Sequence, residues 1–185
     1  MEIKKGTSRI VFIFPRLGFV VKVARIYPRK GFRAIWPYIW TKKRTPYLRE
    51  AVFSWTEDYL GSFRFWLFRG LRDNWMERSF YKSSPCRDFL QPTVFSLLGL
   101  ANIQFYGGVF SEELFDSCLW GQILSLSECE VMDDDHHFSE SRNFCVVDGS
   151  LRMVDYGSWP TRKLLLRWGE VFIREIRLPE MESKK

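Results

Sequence analysis

The sequence predicts an α+β fold built as two small lobes around a cleft, and three observations predict it. Phe144–Val147 and Leu151–Val154 are apolar runs flanking Asp148-Gly149, one of the strongest short hairpin signals. Ile10–Phe14 and Phe19–Ala24 flank Pro15-Arg16-Leu17-Gly18 and read as a second hairpin. Helical stretches fall in blocks between and after the strands, an order typical of α+β proteins. A chain of 185 residues, 46% hydrophobic, is large enough to bury a core of this kind.

Gly6-Thr7-Ser8-Arg9 reads as the turn after a very short first strand, leading into the 10–24 hairpin. The 25–50 segment interleaves Tyr27, Phe32, Trp36, Tyr38 and Trp40 with eight Lys/Arg and three Pro. Proline breaks long helices, so this segment is expected as an inserted basic-aromatic loop. Tyr47–Gly61 and Ser62–Leu71 look helical, and Asp73–Tyr81 reads as a further helix capped by Asp73 or Asn74. Thr93–Leu100 and Asn102–Tyr106 read as strands, and Gly107-Gly108 as a hinge. Ser111 caps a helix to about Ser127, with Glu112 and Glu113 in its first turn. Asp133–Arg142 is expected as an acidic loop, and Arg162–Ile176 as the last helix.

Aromatic residues reach 17%, with eight Trp and seventeen Phe. They are expected chiefly as core-filling rings, and the alternative is that some form a binding surface. Cys86, Cys118, Cys129 and Cys145 have no metal-ligand spacing and read as reduced packing residues of a cytoplasmic protein. The start lacks an apolar signal core, and no run of about 18 apolar residues is present to span a membrane. Residues 1–90 hold 19 Lys/Arg against 7 Asp/Glu, while residues 91–185 hold 9 against 15. This asymmetry suits two lobes of opposite sign, or a basic face for nucleotide phosphates, nucleic acid or anionic lipid. In the 25–49 segment the prolines and the lack of a clean amphipathic helix argue against the membrane partner and leave nucleic acid or another anionic surface.

A hairpin centred near Gly149 places Asn143 opposite Asp155 at its open end. A carboxamide oxygen and a carboxylate side by side suit Mg²⁺, a hard ion usually held by one or two such groups plus phosphates. Lys22, in Phe19-Val20-Val21-Lys22-Val23-Ala24, shares a strand face with Val20 and Ala24. So apolar a strand requires an anionic partner for it, unless the strand is an edge and Lys22 points to water.

Asp155-Tyr156-Gly157 resembles the Asp-Phe-Gly element of the protein-kinase-like superfamily, and Val-Val-Lys-Val resembles its lysine strand. The resemblance implies a two-lobed fold: residues 1–106 an N-terminal lobe with a small antiparallel sheet, residues 107–185 a reduced C-terminal lobe. It implies ATP and Mg²⁺ as cofactors and an unidentified protein or small-molecule acceptor. Lys22 would hold phosphates, Glu77 on its helix would hold Lys22, Asn143 and Asp155 would hold Mg²⁺, and Gly6 and Ser8 would cover phosphates. The kinase base position, five residues before Asn143, is Phe138 here, so Asp135 is the candidate base, with His137 as an alternative and Glu140 as a third. Gly6 stands alone where the family has three glycines, and only 28 residues follow Gly157. These departures keep open a catalytically degenerate module that binds a partner.

Overall fold

The computed structural model describes residues 1–40, 46–55 and 62–178, without the side chains of Pro46, Val109, Asp135 and His136. It is α+β. Five strands, β1 (Glu2–Lys5), β2 (Arg9–Phe14), β3 (Phe19–Ala24), β4 (Thr93–Leu97) and β5 (Ala101–Phe105), form an antiparallel sheet in the order β1-β2-β3-β5-β4. β2 and β3 are rich in Val, Ile and Phe, which fit a pleated surface. Between them Pro15–Leu17 makes a single 3₁₀ turn closed by Gly18 at φ 71°. Val11 stands opposite Lys22, so Arg9, Val11, Ile13, Val20 and Lys22 share one face of the sheet.

The 25–50 segment is not a loop. Pro28–Trp40 forms helix α1 and Pro46–Phe53 forms α2. Pro28 occupies the first helical position, where its missing N–H costs nothing, and Pro37 is accommodated inside α1. The part of the predicted Tyr47–Gly61 helix at 56–61 lies outside the described residues.

Helix α3 (Phe63–Ser83) is continuous and replaces the two helices expected over 62–81. Its cap is Ser62, whose hydroxyl accepts from Phe65 N at 3.0 Å. Asn74 caps nothing: it is buried, and its Nδ2 donates to the carbonyls of Lys22 (3.2 Å) and Gly99 (2.9 Å). α3 is thereby pinned across β3 and the β4–β5 turn. That turn, with Leu98 at φ 48° and Gly99 at φ 78°, ends β4 earlier than expected.

In the second half β6 (Gly108–Val109), β7 (Phe144–Val147) and β8 (Ser150–Met153) form a three-stranded antiparallel sheet. Gly108 is therefore a strand residue. Asp148 at φ 50° and Gly149 at φ 74° make the two-residue turn that hairpins favour. Phe144 pairs with Met153, one residue out of the expected register, so Asn143 faces Val154 rather than Asp155. Ser111 caps α4 (Glu112–Leu114), which passes through a π-turn into α5 (Trp120–Leu126). The acidic segment is ordered as a 3₁₀ turn and α6 (Asp135–Phe138). α7 (Trp159–Glu175) starts three residues early, with Ser158 as its cap.

The largest core lies among α5, α7, the β7–β8 hairpin and the 3₁₀ turn at Arg87–Phe89. Phe rings fill it: Phe89 packs tilted against Phe172, with centroids 5.4 Å apart, and Phe115 against Phe144 at 5.5 Å. None of the eight Trp is buried. Among the described residues no helix is long and apolar enough to cross a membrane.

Candidate functional site

A cleft of about 550 Å³ opens between the two sheets. Its walls are the β1–β2 turn (Gly6, Thr7, Ser8), the Lys22 face of β2 and β3, the Phe105-Tyr106-Gly107 connection, and the segments flanking β7 and β8. Gly6, Ser8, Lys22, His137, Asn143 and Asp155 all line it. Glu77 sits behind Lys22 with no exposed surface. The Asp135 side chain lies outside the described residues.

Lys22 Nζ donates to both Glu77 oxygens at 3.1 Å and to the Val154 carbonyl at 2.7 Å. Lys22 is therefore no edge-strand lysine in water: it is 3% exposed. Burial pushes its pKa below the usual lysine range, against the pull of Glu77. Gln104 Nε2 on β5 also donates to Glu77, at 2.8 Å.

A second cation completes the network. Arg9 Nη1 donates to Glu77 at 2.5 Å, and its Nη2 donates to Asp155 Oδ1. A buried guanidinium thus bridges the helix glutamate and the Asp-Tyr-Gly aspartate. Burial alone would raise the Asp155 pKa, but the charges of Arg9, Lys22 and His137 hold it well below the usual carboxylate range. Arg9 is likewise held protonated by Asp155 and Glu77, against its own burial. Sequence reasoning assigned Arg9 no role, yet its signal was the same as that of Lys22: a cation opening the apolar strand Arg-Ile-Val-Phe-Ile-Phe.

Tyr156 is fully buried. Its hydroxyl donates to the Gln91 carbonyl at 2.7 Å and stands 2.9 Å from Thr93 Oγ1. That polar partner set satisfies the buried Tyr156 hydroxyl. Burial and the Glu77 charge push its pKa well above the usual range.

His137 Nδ1 lies 2.8 Å from Asp134 Oδ1, and Asp134 Oδ2 accepts from the Thr161 hydroxyl. Asp134 is 3% exposed, so this carboxylate is fixed and orients the imidazole towards one tautomer. Burial lowers the His137 pKa, but the Asp134 hydrogen bond and the Asp155 charge prevail and raise it. Asp134 and Thr161 carried no sequence motif; their proximity comes from packing α7 on the turn that precedes α6.

Asn143 Nδ2 donates to the His137 carbonyl at 3.0 Å, which fixes the amide with its oxygen turned the other way. Asn143 and Asp155 both line the cleft. The described residues contain no group of three or more His, Cys, Asp and Glu that could hold a metal ion. Asn143 and Asp155 are the two cleft residues whose oxygens could ligate Mg²⁺, an ion that otherwise takes water or phosphate. Arg9 engages one Asp155 oxygen, and a carboxylate offers about four lone-pair sites.

The lining holds six Lys and Arg, among them Lys4, Lys5, Arg69 and Arg142, against Asp73 and Asp155. Such a surplus of positive charge attracts anions. Val11, Ile13, Val20, Phe105 and Phe144 add an apolar wall to the same space. No protein-family model, curated protein or solved structure matches the chain.

Proposed function

We propose that the chain is an ATP–Mg²⁺-dependent phosphotransferase of the kinase-like superfamily, acting on a protein or small-molecule acceptor. The observation that carries this reading is the buried Lys22–Glu77 ion pair at the floor of a cation-rich cleft. On this reading the five-stranded sheet with α3, within residues 1–106, is the N-terminal lobe. Residues 107–185 are a reduced C-terminal lobe, and a cytoplasmic setting goes with the nucleotide.

The nucleotide base lies against Val11, Ile13, Val20 and Phe105, and the phosphates lie towards the cations. Lys22, kept in place by Glu77, donates to phosphate oxygens, and the Gly6–Ser8 turn covers them with backbone N–H groups. Asn143 and Asp155 hold Mg²⁺, which when bound neutralises charge on the transferring group. His137, oriented by Asp134, accepts the proton of the acceptor hydroxyl once it is itself neutral. Asp135, two residues earlier, is the alternative base. Catalysis of this kind is chiefly positioning and charge stabilisation.

One observation favours a second reading, a degenerate kinase-like module that binds a partner. Arg9 already supplies Asp155 with an internal cation. Thermal unfolding with and without ATP and Mg²⁺ separates the two. A ligand at 100 times its dissociation constant adds about 2.7 kcal/mol, a rise of roughly 5–10 °C for a chain of this size. A Mg²⁺-dependent rise in wild type, absent in Asp155→Asn, supports the phosphotransferase. A rise indifferent to Mg²⁺ and to that substitution favours the module, and no rise at millimolar ATP rejects nucleotide binding.

A further inference from the structure

We propose that the outer face of α1 docks on an anionic lipid membrane surface. The proposal does not rest on the nucleotide reading. One side of α1 is committed to the protein: Gly31 and Ala34 are buried, and a Cβ on Gly31 would stand 3.2 Å from Phe63 Cδ2 on α3. The other side presents Trp36, Ile39 and Trp40, which are 58%, 56% and 70% exposed, and Phe32, 56% exposed, borders them with one edge of its ring against Phe63. Their spacing of i, i+4, i+7 and i+8 sets them along one line of an α-helix. The Trp36 and Trp40 rings touch, with centroids 5.5 Å apart.

Charge decides what covers this row. Arg29 and Arg33, one turn apart, are exposed beside it. Residues 25–49 contain eight Lys/Arg and no Asp or Glu. An apolar row with Trp, bordered by exposed cations such as Arg29 and Arg33, is how a helix lies in the interface of an anionic bilayer. A second copy of the chain would bring two such cationic faces together, which repel. A nucleic-acid strand would use the rings as stacking platforms but gives Ile39 no partner. Trp36 and Trp40 thus lie on a face that lipid can solvate, whereas Trp120 and Trp168 pack against the core.

Flotation of the full chain with vesicles tests this. Phosphatidylcholine alone is compared with phosphatidylcholine containing one third phosphatidylglycerol. The expected result is binding to the anionic vesicles, weakened by salt. Arg29→Gln/Arg33→Gln lowers it about 5-fold per cation, roughly 30-fold together. Trp36→Ser/Trp40→Ser lowers it roughly tenfold or more. Both pairs are exposed, so the fold is retained, as circular dichroism checks; if the Trp pair unfolds, the Arg pair decides. The proposal is overturned by no binding to anionic vesicles, by equal binding to phosphatidylcholine alone, or by variants that bind as wild type. Preferential capture of a single-stranded oligonucleotide, or self-association lost in the Trp variant, also overturns it.

Discussion

Lys22 Nζ stands 3.1 Å from both carboxylate oxygens of Glu77, across 55 positions of sequence and between a sheet and a helix. Glu77 is also the partner of Arg9, so one buried carboxylate faces two cations, and Asp155 supplies the second negative charge. The four groups are balanced only as a set. Removing Glu77, the fully buried member, leaves two cations without their shared anion in a place where water hardly reaches.

The members are therefore unequal. Glu77→Gln strips the shared anion from Arg9 and Lys22 and is expected to cost about 3–5 kcal/mol. Lys22→Met leaves Glu77 with Arg9 and Gln104 and is expected to cost about 1–2 kcal/mol. Urea unfolding of the two variants measures the difference. An equal loss in both would show that Arg9 does not share the carboxylate.

The Lys22–Glu77 pair was legible because each residue sits in a strong local pattern, an apolar strand and a helix. The β7–β8 hairpin was legible from Asp148-Gly149, but its register was off by one, since the turn centres between these two residues rather than on Gly149. α1 was missed because the three prolines of 25–50 were weighed as breakers, although Pro28 falls at a first-turn position, Pro46 lies beyond α1, and α1 packs on α3. α3 was split because Asp73 and Asn74 resemble caps; in the fold Asn74 instead satisfies two carbonyls beyond the helix. Arg9, Gln104 and Thr161 enter the site only through contacts distant in sequence, which no local pattern records; Asp134 meets His137 three residues on, a spacing that was not weighed.

Acid should weaken the protein through Asp155. Its folded pKa lies below the unfolded value, so its ion pair adds stability that is complete above about pH 4 and is lost as pH falls towards the folded value. Asp155→Asn lacks this component. It should be the less stable protein at pH 7, and the gap to wild type should narrow steadily from pH 5 to pH 2 in urea titrations. A constant gap would mean that Asp155 is not paired with Arg9 in solution.

His137 has the opposite sign. Its pKa is raised by Asp134 and Asp155 against burial, so its charge stabilises the fold fully below about pH 6.5 and ceases to do so as pH rises through the folded value. Asp134→Asn should move the His137 titration down towards or below the ordinary value. Imidazole proton NMR, with His137→Gln to assign the two histidines, follows it directly. An unchanged midpoint in Asp134→Asn would remove Asp134 as the group that orients His137.

Gly70 sets how closely α3 approaches the sheet. A Cβ there would lie 2.3 Å from Ser8 O, 2.9 Å from Arg25 N and 3.1 Å from Ala24 Cα, all backbone and unable to step aside. Gly70→Ala must push α3 away from β3 and the Gly6–Ser8 turn, carrying Glu77 from Lys22. The expected loss is about 3 kcal/mol. Gly121 on α5 has nothing within 4 Å of its added Cβ, so Gly121→Ala should be neutral or stabilise by about 0.5–1 kcal/mol. Thermal unfolding of the two variants compares a close approach with open space in one experiment.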